Sequence, residues 1–171
     1  HPLQFFDSID STNIRAKLEA EQGAKSGLLV VSDMQSAGRG RRGRSWESPA
    51  GTNIYYTLML KPDFSSDCAP MLTLVMALAV AKGIRQTLRR DSEEAAAKVG
   101  IKWPNDIYIG DRKVTGILIE NDLMGPYLSR SVIGIGLNVN QTRFDPALPN
   151  PTSLAAEAGH PFDRAEVFIS F

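Results

Sequence analysis

The second half of the chain limits the possible folds most sharply. Between Val99 and Val139, four β-rich segments (Val99–Trp103, Ile107–Ile109, Val114–Glu120 and Tyr127–Val139) are separated by three to six residues that carry turn signals at Pro104-Asn105-Asp106, Gly110-Asp111 and Gly125-Pro126. Links this short turn the backbone on itself and join neighbouring antiparallel strands, whereas a parallel pair needs a crossover of a dozen or more residues. The first half reads differently. A strand at Leu3–Phe6 precedes a helix capped by Asp10 or Ser11, which runs to about Gln22 and is stopped by Gly23. Strands follow at Leu28–Ser32 and Asn53–Lys61, and Pro70 opens a helix to about Arg90 whose first half, apolar nearly all round, is expected to be buried. Asp163 and Glu166 form a capping box for a last helix with Val167, Phe168 and Phe171 on one side. That helix stops with its apolar face unfinished, so the chain is expected to continue. Helices early and hairpins late predict an α+β fold: a mixed, largely antiparallel sheet flanked by helices.

Composition narrows the function classes. The 171 residues suit one domain, and a single cysteine, Cys68, excludes an internal disulfide. The longest apolar stretch, Met71–Ala81, is about half of the ~20 residues a membrane span needs, so the expected location is cytoplasmic, away from membranes. His1 and His160 are the only histidines, which argues against histidine metal sites and Ser-His-Asp triads. Basic and acidic residues balance at 19 each, with a pI near 6.9, unlike a domain that binds nucleic acid by bulk charge. The balance is uneven, however. Arg39, Arg41, Arg42 and Arg44 lie within seven acid-free residues. Such a concentration points to a compact anionic ligand.

The run Gly38-Arg39-Gly40-Arg41-Arg42-Gly43 matches G-x-G-x-x-G, but Ser45 to Gly51, with Pro49, cannot open the helix that a dinucleotide fingerprint needs. It sits in an aperiodic stretch, residues 34–51, long enough to suggest a functional loop. Glycine amides and guanidinium groups make it a flexible anion clamp; a solvated basic loop or an arginine-glycine RNA patch fits the charge equally well. In Lys102-Trp103-Pro104-Asn105-Asp106, a lysine and a carboxylate flank a turn at a strand end, and Asp106 suits Mg²⁺ in company with phosphate oxygens. Taken alone, Asn105-Asp106 also reads as turn chemistry. Lys113 starts the next strand, near both if the hairpin forms. Gly116, and Gly134 with Gly136 on the neighbouring strand, leave either a bare ligand slot or bulges.

Taken in order, Ser11-Thr12-Asn13, Gln35 to Arg44, Lys102 to Asp106, Arg112 to Leu118 and Gly134 to Asn138 resemble the biotin protein ligases, over about Phe6 to Ser153. The resemblance implies a catalytic domain across residues 1–171, related to class II aminoacyl-tRNA synthetases. Members usually continue into a small C-terminal β-barrel, and some carry an N-terminal DNA-binding winged helix for which there is no room before Leu3. It implies a biotin–[acetyl-CoA-carboxylase] ligase that uses ATP and Mg²⁺ to make biotinyl-5′-AMP. The acyl group then passes to a lysine of a biotin carboxyl carrier protein, and this domain binds no nucleic acid.

Residue roles follow from that likeness. Ser11, Thr12, Asn13, Gln35, Gly38 and Arg39 are candidates for biotin's ureido ring, and Gly116, Leu118, Gly134 and Gly136 for its apolar part. Arg39, Gly40, Arg41, Arg42, Arg44, Asn105 and Lys113 are candidates for the nucleotide, with Trp46 as an aromatic lid and Asn138 meeting adenine. Lys113, Arg41, Arg44, Lys102 and Asp106 form the catalytic set. Asp106 is also the metal candidate and a group to orient or deprotonate the acceptor lysine. The rivals are a lipoyl or octanoyl transferase, whose triple-glycine run and cysteine setting are missing, a nucleic-acid-binding module, and an inactive adenylate-binding repressor domain.

Overall fold

The computed structural model describes residues 2–170. Seven strands, β1 (Leu3–Ile9), β2 (Leu28–Gln35), β3 (Ile54–Leu60), β4 (Val99–Lys102), β5 (Asp106–Ile109), β6 (Arg112–Met124) and β7 (Tyr127–Leu137), form one sheet in the order β1-β2-β3-β7-β6-β5-β4. Only β1 and β2 are parallel, joined by the crossover helix α1 (Thr12–Glu21); every other neighbouring pair is antiparallel. The mixed, largely antiparallel α+β fold is therefore as expected. The hairpin turns fall at Gly110 and Gly125, which take φ of 62° and 59°, values that glycine adopts without a Cβ clash.

Strand alternation sorts side chains between two faces. On one face Ile54, Tyr56, Ile117, Ile133 and Ile135 pack against Ala77, Val80, Ala81, Ile84 and Leu88 of α2 (Ala69–Arg89), forming the main core. The short helix α3 (Glu93–Ala97) adds Ala95 and Ala96, and α5 (Arg164–Ile169) adds Val167. On the other face α1 covers one end, where Ala16 and Ala20 meet Val30, Met59 and Val132. The remainder of that face is left to a loop.

Two expectations need correction. The first half of α2 is not buried all round: Met71, Leu74, Val75 and Leu78 are 57%, 40%, 57% and 45% exposed, because the sheet covers only one side of the helix. The helix with its preceding turn, Ser66–Arg89, is long and apolar enough to cross a membrane by length and composition, yet its inner side belongs to the core. Unexpected were α3 and α4 (Leu154–Ala158), each five residues and too short for a periodicity to show. Asp163 caps α5 as predicted, accepting from the amides of Ala165 and Glu166. Phe171, assigned to the same apolar side, lies outside the described residues.

Candidate active site

Register places the glycines. Gly116 on β6 lies opposite Gly136 on β7, and Leu118 opposite Gly134, so all four share the sheet face that α1 covers only at one end. Tyr55 and Thr57 of β3 continue the row beside Gly136 and Gly134, and Asp106 of β5 continues it beside Gly116. Above this row lies a cavity of about 920 Å³, lined also by Ser11, Thr12, Asn13, Gln35, residues 39–47, Asn105, Lys113 and Asn138.

The glycine faces are not bare, as the sequence suggested. A Cβ on Gly136 would lie 2.3 Å from Nε1 of Trp46, and one on Gly116 would lie 2.8 Å from its Cζ3. A Cβ on Gly134 would lie 2.0 Å from Oδ1 of Asn13. The glycines thus accommodate protein side chains: Trp46 lies flat against the sheet as the cavity floor, and the Lys113 ammonium sits 5.4 Å from its ring centroid. The indole nitrogen is buried and finds no hydrogen-bond partner among the described residues. In this arrangement Trp46 is a floor, not the lid expected.

The arginine run folds as a miniature hairpin. Arg39 and Ser45 form a bridge, Gly40 donates to Arg44 O at 2.7 Å, and Trp46 donates to Gly38 O at 2.9 Å. A Cβ on Gly38 would meet Trp46 O at 2.3 Å, so glycine is required there. Two side chains tether the hairpin to the body. Arg41 donates to Asn105 Oδ1 at 2.8 Å near the tip, and Arg39 pairs with Glu120 at 3.2 Å at the base. Arg42, at φ 57°, and Arg44 are exposed.

Asp106 and Lys113 come together as the hairpin predicted: Lys113 Nζ lies 2.8 Å from Asp106 Oδ1. Lys113 is held from behind, because its amide donates to Asn150 O at 2.7 Å and its carbonyl accepts from Thr152 at 2.9 Å. Asn105 donates to Ile117 O at 2.9 Å and fixes the turn beside Asp106. Lys102 does not join them. It lies opposite Asp106 in register, but its ammonium reaches Tyr108, 3.3 Å from the hydroxyl and 4.7 Å from the ring centroid, outside the cavity lining.

At the other end, neutral polar groups converge. Gln35 Oε1 accepts from the amide and hydroxyl of Thr12 at 2.8 and 3.0 Å, and its amide donates to Ser48 Oγ at 3.0 Å. Buried Thr57 donates to Asn13 Oδ1 at 2.7 Å and stands 2.9 Å from Thr12 Oγ1. Asn13 donates in turn to Glu120 at 2.9 Å, so both ends of its amide are engaged within the protein. Asn138 is also committed, donating to Thr152 O at 3.0 Å.

Sequence reasoning overlooked two parts of the site. Phe144, Ala147, Leu148, Pro149 and Pro151 form an apolar wall from chain that carries no periodic pattern. Glu120 was legible by strand alternation, two residues beyond Leu118 and four beyond Gly116. Burial works to raise the Glu120 carboxyl, but hydrogen bonds from Lys17 and Asn13 and the charges of Lys17 and Arg39 outweigh it and hold the group below its ordinary range. Five cations face two carboxylates around the cavity, which favours an anion there.

A seven-stranded mixed sheet bearing this cavity is the biotin protein ligase type of fold, akin to that of class II aminoacyl-tRNA synthetases. The model of the biotin/lipoate A/B protein ligase family matches residues 5–138, and the chain belongs to that family. It is 41% identical over 170 residues to the bifunctional ligase/repressor BirA of Bacillus subtilis, covering 96% of this chain and 50% of that protein. It is 37% identical over 161 residues to the biotin–[acetyl-CoA-carboxylase] ligase of Paracoccus denitrificans, covering 92% and 64%. Among solved structures, the Aquifex aeolicus biotin protein ligase in complex with biotin and ATP superposes with a TM-score of 0.80 at 31% identity, over 99% of this chain and 66% of that one. The Leishmania major enzyme in complex with biotinyl-5-AMP gives 0.80 at 28%, over 99% and 71%. The chain spans about half the length of the BirA relatives it matches.

Proposed function

We propose that this chain is the catalytic domain of a biotin protein ligase, acting in the cytoplasm on biotin, ATP and the carrier domain of a biotin-dependent carboxylase. The observation that carries this reading is one compartment with two chemistries: neutral donors and acceptors at Ser11, Thr12 and Gln35, and cations at Lys113 and the clamp. A fused urea ring suits the neutral end, because neutral polar contacts reject analogues that leave buried partners stranded. A carboxylate meeting a phosphate suits the cationic end.

In the first step a biotin carboxylate oxygen attacks the α-phosphorus of ATP, the bond to the bridging oxygen breaks, and pyrophosphate leaves. Lys113, fixed by Asp106 and by its own backbone bonds, is preorganised to meet the charge that grows on the phosphoryl oxygens; Arg41 and Arg44 add to it from the clamp. In the second step the neutral amine of the acceptor lysine attacks the acyl carbon and AMP departs. A free lysine amine at pH 7 is about 99.9% protonated, so a base is needed, and Asp106 is the nearest carboxylate to Lys113. Among the described residues no group of three or more His, Cys, Asp or Glu side chains would hold a resident ion; Asp106, which holds Lys113, is the residue that would contact a Mg²⁺ carried by the nucleotide, where the ion would neutralise phosphate charge. A Mg²⁺ bound mainly by phosphate oxygens needs at most that one carboxylate. The family's lipoyl and octanoyl branch is less well matched, since Cys68 is exposed beside α2 and does not line the cavity.

The test is isotope exchange between pyrophosphate and ATP. Exchange should require biotin, lipoate should not replace it, and Lys113→Met should slow it about 10²- to 10³-fold. Exchange that proceeds with lipoate but not with biotin would overturn this reading.

A further inference from the structure

Glu120 has no place in the chemistry above, yet three side chains from two elements converge on it. Its carboxylate receives Lys17 Nζ at 2.8 Å and Asn13 Nδ2 at 2.9 Å from α1, and pairs with Arg39 at 3.2 Å from the base of the clamp hairpin. The carboxylate is 20% exposed and Arg39, which lines the cavity, is 45% exposed, so the pair is partly open to solvent. The two donors from α1 already satisfy the carboxylate, so the fold does not need Arg39 for that purpose. Arg39, by contrast, has no other ion pair among the described residues. The hairpin itself is held by few bonds: Gly40 to Arg44, Arg44 to Arg41, and Trp46 to Gly38. Trp46 anchors one end of the segment on the sheet, and the rest, so lightly bonded, keeps its place through the side chains that tie it to the body.

We propose that Glu120 is a positioning residue, the post to which the base of the arginine clamp is moored through Arg39. The tether at the tip, Arg41 to Asn105, uses a cation that the nucleotide would recruit; at the base the Arg39 guanidinium, a nucleotide candidate by sequence, is instead held by Glu120. Glu120 touches no reacting atom. It sets how often the clamp stands over the cavity, and therefore how tightly the nucleotide binds rather than how fast bound nucleotide reacts. This rests on the clamp being a nucleotide-binding element, as proposed above.

The experiment is hydrogen exchange of the amides of residues 40–46 in the ligand-free protein, for wild type, Glu120→Gln, Arg39→Gln and the double variant. A half-exposed pair of this kind predicts exchange about 3- to 5-fold faster in Glu120→Gln. Arg39→Gln, which leaves the bonds of Glu120 to α1 intact, should match it, and the double variant should add nothing further. Amides of β3 and β7 should be unaffected. In pyrophosphate exchange, Glu120→Gln should raise the KM for MgATP several-fold with kcat within about two-fold. Unchanged loop exchange in either single variant, or additive effects in the double, would overturn the mooring. If wild type shows no biotin-dependent activity at all, the ligase reading fails, while loop exchange still decides the tether.

Discussion

Gly136 and Trp46 show what individual residues do here. Removing a side chain from a strand costs β-propensity, and in this sheet the space goes to an indole that must lie flat on the backbone. Gly136→Ala should therefore cost about 1–3 kcal/mol by overpacking. Because the clash is with Trp46, the same substitution in a Trp46→Ala background should cost less than about 0.5 kcal/mol, its interaction with the indole being gone. Chemical denaturation of the four proteins reads this directly, and equal costs in both backgrounds would mean the glycine serves something else. At this scale the sequence marked which residues matter without revealing what they touch. Gly116, Gly134 and Gly136 stood out, but whether a slot is filled by ligand or by protein depends on Trp46 in the clamp loop and Asn13 in α1, both far earlier in the chain.

Among elements, the clamp hairpin of residues 38–46 stands apart from the sheet beneath it. Its tip is exposed, Gly43 and Arg42 adopt left-handed backbone, and side-chain tethers link it to the body. Trypsin should cleave the ligand-free protein within Arg39–Arg44. With biotin and MgATP at about 100 times their Kd, the open population and the cleavage rate should fall up to about 100-fold. Cleavage unaffected by saturating ligands would mean the hairpin does not close on them. The loop was legible from its length and composition. The inner and outer sides of α2 were not, since an all-apolar turn carries no directional signal, and only the single sheet layer decides that Met71 and Val75 face outward.

For the molecule as a whole, an ion pair joins the apolar contacts of Val167 in fastening α5 to the sheet. Arg164, at the start of α5, donates to Asp33 Oδ1 at 2.5 Å and to Asn53 O at 3.0 Å, while Gly51 donates to both Asp33 oxygens. The Arg164 hydrogen bond, opposed by burial and helped by the Gly51 amide and the Arg164 charge, holds the Asp33 carboxyl below its ordinary value of 3.8. A depressed carboxyl binds its proton more readily in the unfolded chain. Its contribution is therefore complete above about pH 4 and lost as pH falls through the folded-state value. Thermal melts from pH 7 downward should show this part of the acid destabilisation missing in Asp33→Asn, which should be less stable than wild type at pH 7 and converge with it at low pH. A constant gap at all pH values would remove the ion pair from the account.

Sequence alone determined the run of hairpins, the early helix, the Asp163 cap, the charge-dense loop and the proximity of Lys113 to Asp106. These rest on turn geometry, periodicity and short separations, all local physics. Tertiary structure decided that Lys102 turns away to Tyr108, that Trp46 and Asn13 fill the glycine rows, that residues 144–151 wall the cavity, and that Glu120 meets Arg39. Each of these joins side chains far apart in the chain or chooses among rotamers, and no local pattern encodes which distant surface a side chain will meet once the sheet has closed.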